Sequence, residues 1–242
     1  MLIKSVDDKS QIIKNLTQLL NHPKIFPSKK REIKFLIYKI KTGWDNEKKA
    51  SYYIDTYYKD SKKVVVLHDL RIKYYDLSFQ IDHLLIFRTD IVIFESKYFS
   101  SQLIYDWKNK SFNIRTKNGI KGIPNPLKQA ERQALNLRKF LDKTGLKTFA
   151  PEDINFYVLV SPEVFLKTKM PEGIIKADQF IDKFKEEDEK IGFLDGIKRV
   201  KNYFTNSFEK ISFLGNELKK FHEPLKFEDY LKMLNLSWLI KQ

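Results

Sequence analysis

The sequence predicts an α/β domain with helical segments at both ends. Two observations support this prediction. Segments rich in β-branched and aromatic residues occupy the middle of the chain, and helical periodicity occupies both flanks. The chain has 242 residues, of which 42% are hydrophobic and 14% aromatic, enough for a packed core. We expect a basic helical extension over 1–42, a core over 43–165 and a mostly helical extension over 166–242.

Helical periodicity covers three segments near the start of the chain, at 10–21, 29–41 and 43–60. The period then changes to two, and strands are predicted at 62–72, 78–87 and 91–99. The connection between the last two strands is short enough for a hairpin. Two shorter strands predict a second hairpin, at 102–107 and 111–116.

A long helix is predicted after the loop 118–126, with Asn125 as its N-cap, Pro126 at its first position and an end near Lys143. A buried strand follows at 154–161. Because a strand, a long helix and a strand follow one another, we expect a right-handed crossover and parallel strands. Two further helices are predicted towards the C-terminus, near 196–208 and 225–239.

The composition excludes several classes of site. The chain contains no cysteine, so disulfides, thiol catalysis and cysteine-ligated zinc are excluded. Any metal must be held by oxygen or by the four histidines, and oxygen favours Mg²⁺ or Mn²⁺. No stretch approaches the roughly 18 consecutive apolar residues of a membrane span. Two aspartates stand where a secretory signal needs an apolar run, so we expect no membrane partner and a cytoplasmic location.

The net charge of +14 is concentrated in two segments. Residues 1–42 carry a balance of +7 and residues 117–149 a balance of +6. Two interpretations are open: a well-solvated surface, or a footprint for the phosphates of a polyanion. The second predicts nucleic acid as the partner, with these candidate contacts: Lys29, Lys30, Arg31, Lys121, Lys128, Arg132 and Gln133.

Ionisable residues stand inside the most apolar strands. Glu95 and Lys97 share one face of their strand, and Asp82 falls opposite Glu95 across the hairpin. Two carboxylates that meet on a sheet need a cation or a proton between them, unless they belong to a solvated, charged face. The isoleucines and phenylalanines around them favour a buried site over a solvated face. Alternation points His83 to the opposite face, where core packing is expected.

Two helices contribute further candidates. A helical wheel places Glu47 on the face that would contact the sheet. There it is either a capping or salt-bridged residue, or a third metal ligand with Asp82 and Glu95. Gln129 and Gln133 lie one turn apart on the later helix, either as surface residues or as neutral donors for phosphate oxygens or water.

Acidic ligands beside a lysine suit phosphodiester hydrolysis. A divalent cation polarises a phosphoryl oxygen and lowers the pKa of a bound water, and Lys97 can orient the nucleophile or neutralise the transition state. We therefore expect a nuclease that depends on Mg²⁺ or Mn²⁺, with DNA favoured over RNA. A homodimer would suit cleavage of both strands of a duplex, although no segment identifies an interface.

Five segments together resemble the nuclease-related domain, NERD, a branch of the PD-(D/E)XK nuclease superfamily: "TGWDNEKKA", "VVVLHDLRI", "QIDHLLIF", "IVIFESKYF" and "NPLKQAERQ". The resemblance covers roughly residues 43–160. It implies a restriction-endonuclease-like core, in which a mixed central sheet is flanked by helices. The chain departs from the family's glycine-rich opening at Asn46, where a second glycine is common.

The resemblance also implies roles for individual residues. Asp82 and Glu95 match the metal-binding acids and Lys97 the catalytic lysine. Glu47 matches the helical glutamate, and Gln129 with Gln133 matches the glutamine helix, which gives these candidate catalytic residues: Asp82, Glu95, Lys97, Glu47 and Gln129. Two other function classes remain open, a non-catalytic nucleic-acid-binding module and an interaction protein that docks onto an acidic partner.

Overall fold

The computed structural model describes residues 1–99, 101–182 and 205–240. Within these ranges the strands are β1 (Leu2–Lys4), β2 (Val65–Tyr74), β3 (Leu77–Ile86), β4 (Asp90–Lys97), β5 (Gln102–Asp106), β6 (Ser111–Thr116), β7 (Gly119–Ile123), β8 (Asp153–Val160), β9 (Phe165–Leu166) and β10 (Ile174–Lys176). The α-helices are α1 (Ser10–Leu19), α2 (Pro27–Tyr58), α3 (Pro126–Thr144), α4 (Phe208–Lys220) and α5 (Phe227–Met233). Short 3₁₀ helices occupy Leu146–Phe149, Ala177–Gln179 and Ser237–Ile240.

The central sheet has six strands among the described residues, in the order β1-β2-β3-β4-β8-β10. Strands β2, β3 and β4 are antiparallel to their neighbours within that group, whereas β1, β8 and β10 join the sheet in parallel. The parallel pairing of β4 with β8 across α3 confirms the predicted crossover connection. A mixed sheet between helices confirms the predicted α/β class and is the arrangement of a restriction-endonuclease-like core.

Alternation along β4 divides the core into two layers. Ile91 and Ile93 pack with α3 and α4 on one face of the sheet, and Val92 and Phe94 pack with α2 on the other. All four side chains are fully buried, and each contributes about 1.5–3 kcal/mol of hydrophobic stabilisation. Glu95 follows on the face of Ile91 and Ile93, so the sheet directs it towards α3.

The predicted break between the helices 29–41 and 43–60 is wrong, because both belong to the continuous helix α2. A glycine inside a helix costs about 1 kcal/mol relative to alanine. Packing on both sides of Gly43 offsets this cost. Ile33 is buried in a cluster with α1 and α5, and Ile54 is buried against the sheet.

The second sheet has the order β7-β6-β5-β9. Its β5–β6 pairing confirms the second predicted hairpin. The segment 118–126, predicted as a loop, instead contains β7, which pairs with β6. Gly119 has a φ of +113°, a conformation that glycine adopts without strain and that permits the tight turn between these strands.

Helix α3 begins and ends close to the predicted residues. The side chain of Asn125 accepts hydrogen bonds from the backbone N–H groups of Leu127 and Lys128, and Gly145 ends the helix with a φ of +73°. Residues 196–204 of the predicted helix 196–208 lie outside the described ranges. The predicted helix 225–239 is shorter, comprising α5 and a 3₁₀ turn, and α4 was not predicted. Across the described ranges, each helix is either too short or too polar to cross a bilayer.

Candidate active site

A break in the pairing of β2 and β3 sets the position of the candidate site. Regular pairing stops at His68 and His83, and the next residues, Asp69 and Asp82, lie opposite each other without a regular pair. Asp69 has a φ of +50°, in the left-handed region that side chains rarely adopt. Such irregularities redirect side chains and are frequent next to active sites.

The same break shifts the alternation of both strands. Leu67 and Leu70 lie three positions apart on β2, yet both pack in the core layer of α3 and α4. Ile81 and Leu84 do the same on β3. A regular strand would send the two members of each pair to opposite faces. Each strand therefore holds one extra residue at this level of the sheet.

Two of the predicted acids are buried and tightly held. Asp82 Oδ2 accepts hydrogen bonds from the backbone N–H and the hydroxyl group of Ser96, at 2.8 and 3.0 Å. Glu95 Oε2 accepts a hydrogen bond from Gln133 Nε2 at 2.6 Å. Glu95 Oε1 lies 2.6 Å from the ammonium nitrogen of Lys97. The structure thus brings Lys97 and Gln133 onto Glu95, whereas the sequence predicted Gln133 as a contact for nucleic acid.

A second pair of acids holds a lysine that the sequence did not indicate. Lys9 Nζ lies 2.8 Å from Glu47 Oε2 and 3.1 Å from Asp69 Oδ2. Gln80 Nε2 donates to Asp69 Oδ1 at 2.7 Å. Glu47 lies on the buried side of α2, as predicted. We refer to Glu47, Asp69, Asp82 and Glu95 as the acidic cluster.

Burial and repulsion shift the pKa values of the cluster. Burial raises the pKa of Asp82 well above its usual range, and the charges of Glu95 and Glu47 raise it further. Burial and the charge of Asp69 raise the pKa of Glu47 to about 7, although Lys9 acts in the opposite direction. Burial alone would lower the pKa of Lys9, but the charges of Glu47 and Asp69 raise it above its usual value. These shifts show that the acids repel one another and that added positive charge would relieve the repulsion.

The charge and the donor atoms of the cluster fit one divalent cation. If all four carboxylates are ionised, as they would be around a bound cation, the two ammonium groups that contact them leave a formal charge of −2. All candidate ligand atoms are oxygens, which Mg²⁺ and Mn²⁺ prefer. Gln133 Oε1 is a further oxygen, buried and without a hydrogen-bond partner among the described residues. Among the described residues, no group of three acidic or histidine side chains is arranged around one metal position. Lysine ammonium groups contact Glu47 and Glu95 instead.

The sequence around this site matches a known family. A model of the nuclease-related domain matches residues 42–166, just over half of the chain. The chain belongs to the nuclease-related domain family. The match contains the whole acidic cluster together with Lys97 and Gln133, whereas Lys9 lies outside it. No curated protein and no solved structure matches the chain.

In this nuclease-related domain, α3 and β3 line a pocket of about 330 Å³ next to Asp82. Its lining includes the two predicted glutamines and one predicted arginine, Gln129, Gln133 and Arg132. Asn136 adds a third amide one turn further along α3. The pocket therefore joins an acid of the cluster to a row of neutral and positive donors.

The other predicted nucleic-acid contacts lie away from this pocket: Lys29, Lys30, Arg31, Lys121 and Lys128. The first three lie near the start of α2, at least 16 residues before Glu47. This separation corresponds to about 24 Å of helix. Lys121 belongs to β7 of the second sheet. Lys128 is exposed and lies 2.7 Å from Glu131. None of these five residues lines the pocket.

Two of the four histidines belong to the core. His68 and His83 are fully buried, with 2.8 Å between their Nδ1 atoms, and His68 Nε2 lies 3.0 Å from Asp55 Oδ1 on α2. Burial and the neighbouring His68 lower the pKa of His83 well below its usual value. The predicted packing role of His83, on the side of the sheet away from α3, is confirmed.

Proposed function

We propose that this nuclease-related domain is a divalent-metal-dependent endonuclease that hydrolyses phosphodiester bonds in nucleic acid, with DNA as the favoured substrate. The observation that carries the proposal is the contact of Lys97 and Gln133 with the buried carboxylate of Glu95 beside Asp82. Burial of several ionised groups destabilises a fold unless they are well paired. Cation-dependent catalysis gives a reason for keeping an acidic cluster with a formal charge of −2.

Asp82 and Glu95 would hold the cation, Mg²⁺ or Mn²⁺. Glu47, the third acid of the predicted set, is paired with Lys9. The bound ion would polarise a phosphoryl oxygen and lower the pKa of a water molecule. Gln133 supports this role in two ways. Its amide nitrogen orients Glu95, and its buried amide oxygen is unpartnered among the described residues.

Side chains of the protein can supply the two other requirements of catalysis, which are charge stabilisation and contact with the substrate. Lys97 is about one-third exposed, so its ammonium group contacts Glu95 and is also accessible to a substrate. From there it can stabilise the negative charge that develops on the phosphoryl group. Gln129 and Arg132 line the adjacent pocket, where an amide and a guanidinium group can donate to phosphate oxygens.

The test is incubation of the purified protein with supercoiled plasmid, single-stranded DNA and RNA, in Mg²⁺, in Mn²⁺ and in chelator. We expect nicking of the closed plasmid, which only an endonuclease can produce, and no nicking in chelator. Lys97→Ala should abolish cleavage and keep the fold, and Lys62→Ala, at an exposed lysine on the loop before β2, should cleave as the wild type does. Binding without cleavage under every metal condition would contradict the proposal and favour a non-catalytic nucleic-acid-binding module.

A further inference from the structure

Lys9 places a positive charge in the acidic cluster, although it lies outside the residues that match the family model. Its ammonium nitrogen contacts Glu47 at 2.8 Å and Asp69 at 3.1 Å. The three side chains are largely buried, with 16%, 12% and 4% of their surface exposed. Solvent and salt screen such a group of charges only weakly. The electrostatic attraction between Lys9 and the two acids is therefore stronger than in an ion pair on the surface.

The chain before α1 fixes the position of Lys9. Strand β1 joins the edge of the central sheet, where Lys4 Nζ donates to the carbonyl oxygen of His68 at 2.9 Å. Asp7 Oδ1 lies 2.7 Å from Lys4 Nζ, and Asp7 Oδ2 lies 3.0 Å from His222 Nε2. Lys9 follows two residues later, directly before α1. The site thus includes a residue of the N-terminal extension at a fixed place.

The charge of the cluster limits how many divalent ions it can take. With Lys9 and Lys97 in place and all four carboxylates ionised, the formal charge is −2, which one divalent ion neutralises. Without Lys9 the charge would be −3, and the carboxylates of Glu47 and Asp69 would have no cation between them. Two uncompensated buried carboxylates bind a metal or a proton. The ammonium group of Lys9 supplies positive charge to both acids, through a hydrogen bond to Glu47 and an ion pair with Asp69, and occupies the position between them.

We propose that Lys9 is a positioning residue that stands in place of a second divalent ion. Its ammonium group holds Glu47 and Asp69 together and keeps them from the ion at Asp82 and Glu95, so that the site takes one divalent ion per chain. This inference rests on the proposed metal-dependent function.

The test is a count of bound ions, which a purely structural role of Lys9 would not change. Free Mn²⁺ is measured by electron paramagnetic resonance while Mn²⁺ is titrated into the full chain. We expect one bound ion for the wild type, one for Lys9→Arg, which keeps the charge, and two for Lys9→Met, which keeps the length of the side chain. Lys14→Met, the same change at an exposed lysine of α1, should bind one.

A wild-type count of two would overturn the inference, as would a folded Lys9→Met variant that binds one ion. If Lys9→Met does not fold, Glu47→Gln decides the question. The variant should still bind one ion at saturation, because Glu47 pairs with Lys9, and loss of that ion would overturn the inference. A wild-type protein that binds no Mn²⁺ would refute the metal-dependent function and the inference together, whereas an unchanged count in Lys9→Met would refute the inference alone.

Discussion

Ser96 directly follows Glu95 in the sequence and contacts the other central acid, Asp82. Its backbone N–H and its hydroxyl group both donate to Asp82 Oδ2. The backbone contact survives any substitution at Ser96 that keeps the strand and its N–H group. The hydroxyl contact depends on the side chain alone, so it can be removed separately. Groups that orient a metal ligand in this way contribute substantially to metal affinity and activity.

We expect Ser96→Ala to lower metal affinity or kcat/KM by about 10- to 100-fold, because Asp82 loses one of the two donors that orient it. Ser96→Thr keeps the hydroxyl group on a strand position that tolerates β-branching and should stay close to wild type. Steady-state cleavage of a labelled oligonucleotide across a Mg²⁺ series measures both effects. Equal losses in the two variants would mean that packing, and not the hydroxyl group, matters at this position.

Asp7 gives a prediction about pH. Burial alone would raise the pKa of Asp7, but hydrogen bonds with His222 and Lys4 lower it below its ordinary value. A lowered folded-state pKa means that Asp7 stabilises the fold above its unfolded-state pKa of about 3.9, and that this contribution is lost as the pH falls through the folded value. Asp7→Asn should lower the free energy of unfolding by about 0.5–1.5 kcal/mol at neutral pH. Urea denaturation over a pH series should show that difference shrink below about pH 4, and a constant difference would contradict the account.

The residues of the candidate site differ in how clearly the sequence pattern indicates them. Asp82, Glu95 and Lys97 interrupt apolar strands, and alternation places them on one side of the hairpin. Asp69 interrupts β2 in the same manner, so the same signal could have found it. Lys9 could not be found, because a lysine before an amphipathic helix resembles any solvated lysine and its partner Glu47 lies 38 positions away. Only the tertiary fold brings them together.

At the scale of elements, α3 supplies the pocket and the support for Glu95. Its first turn is held by the side chain of Asn125, which accepts from two backbone N–H groups that have no partner within the helix. We expect Asn125→Ala to reduce the free energy of unfolding by about 0.5–2 kcal/mol. Chemical denaturation measures the loss. Asn118→Ala, in the exposed turn before β7, is the matched control and should change stability by less than about 0.5 kcal/mol.

Elements with a strong local signal were predicted, and those defined by pairing were not. The hairpin of β3 and β4 and the capped helix α3 carry alternation, turn length and cap residues in their own sequence. Strands β1, β9 and β10 have two or three residues each, too few to show any period. The continuity of α2 depends on tertiary packing around Gly43, which local propensity does not contain.

At the scale of the whole molecule, the positive charge is spread more widely than the site. Arg132 borders the pocket, whereas Lys29, Lys30 and Arg31 lie about 24 Å from Glu47 along α2. An extended nucleic acid that reached both places would contact a large part of the surface. The structure therefore predicts separate phosphate contacts whose contributions to binding add.

We expect Arg132→Ala to weaken DNA binding and to reduce the slope of log K against log salt by about one unit. The combined change of Lys29, Lys30 and Arg31 to alanine should reduce it by up to about three units if all three contact phosphates. Fluorescence anisotropy in chelator, where cleavage is prevented, gives both slopes. An unchanged slope in the Arg132 variant would remove the pocket from the binding surface.

The most direct measurement of the central claim is anomalous diffraction from crystals grown with Mn²⁺. We expect one anomalous peak per chain in contact with the carboxylates of Asp82 and Glu95, and no peak there in Asp82→Asn crystals. A map with no peak at these carboxylates, or with Mn²⁺ peaks only elsewhere on the chain, would contradict the proposed metal site.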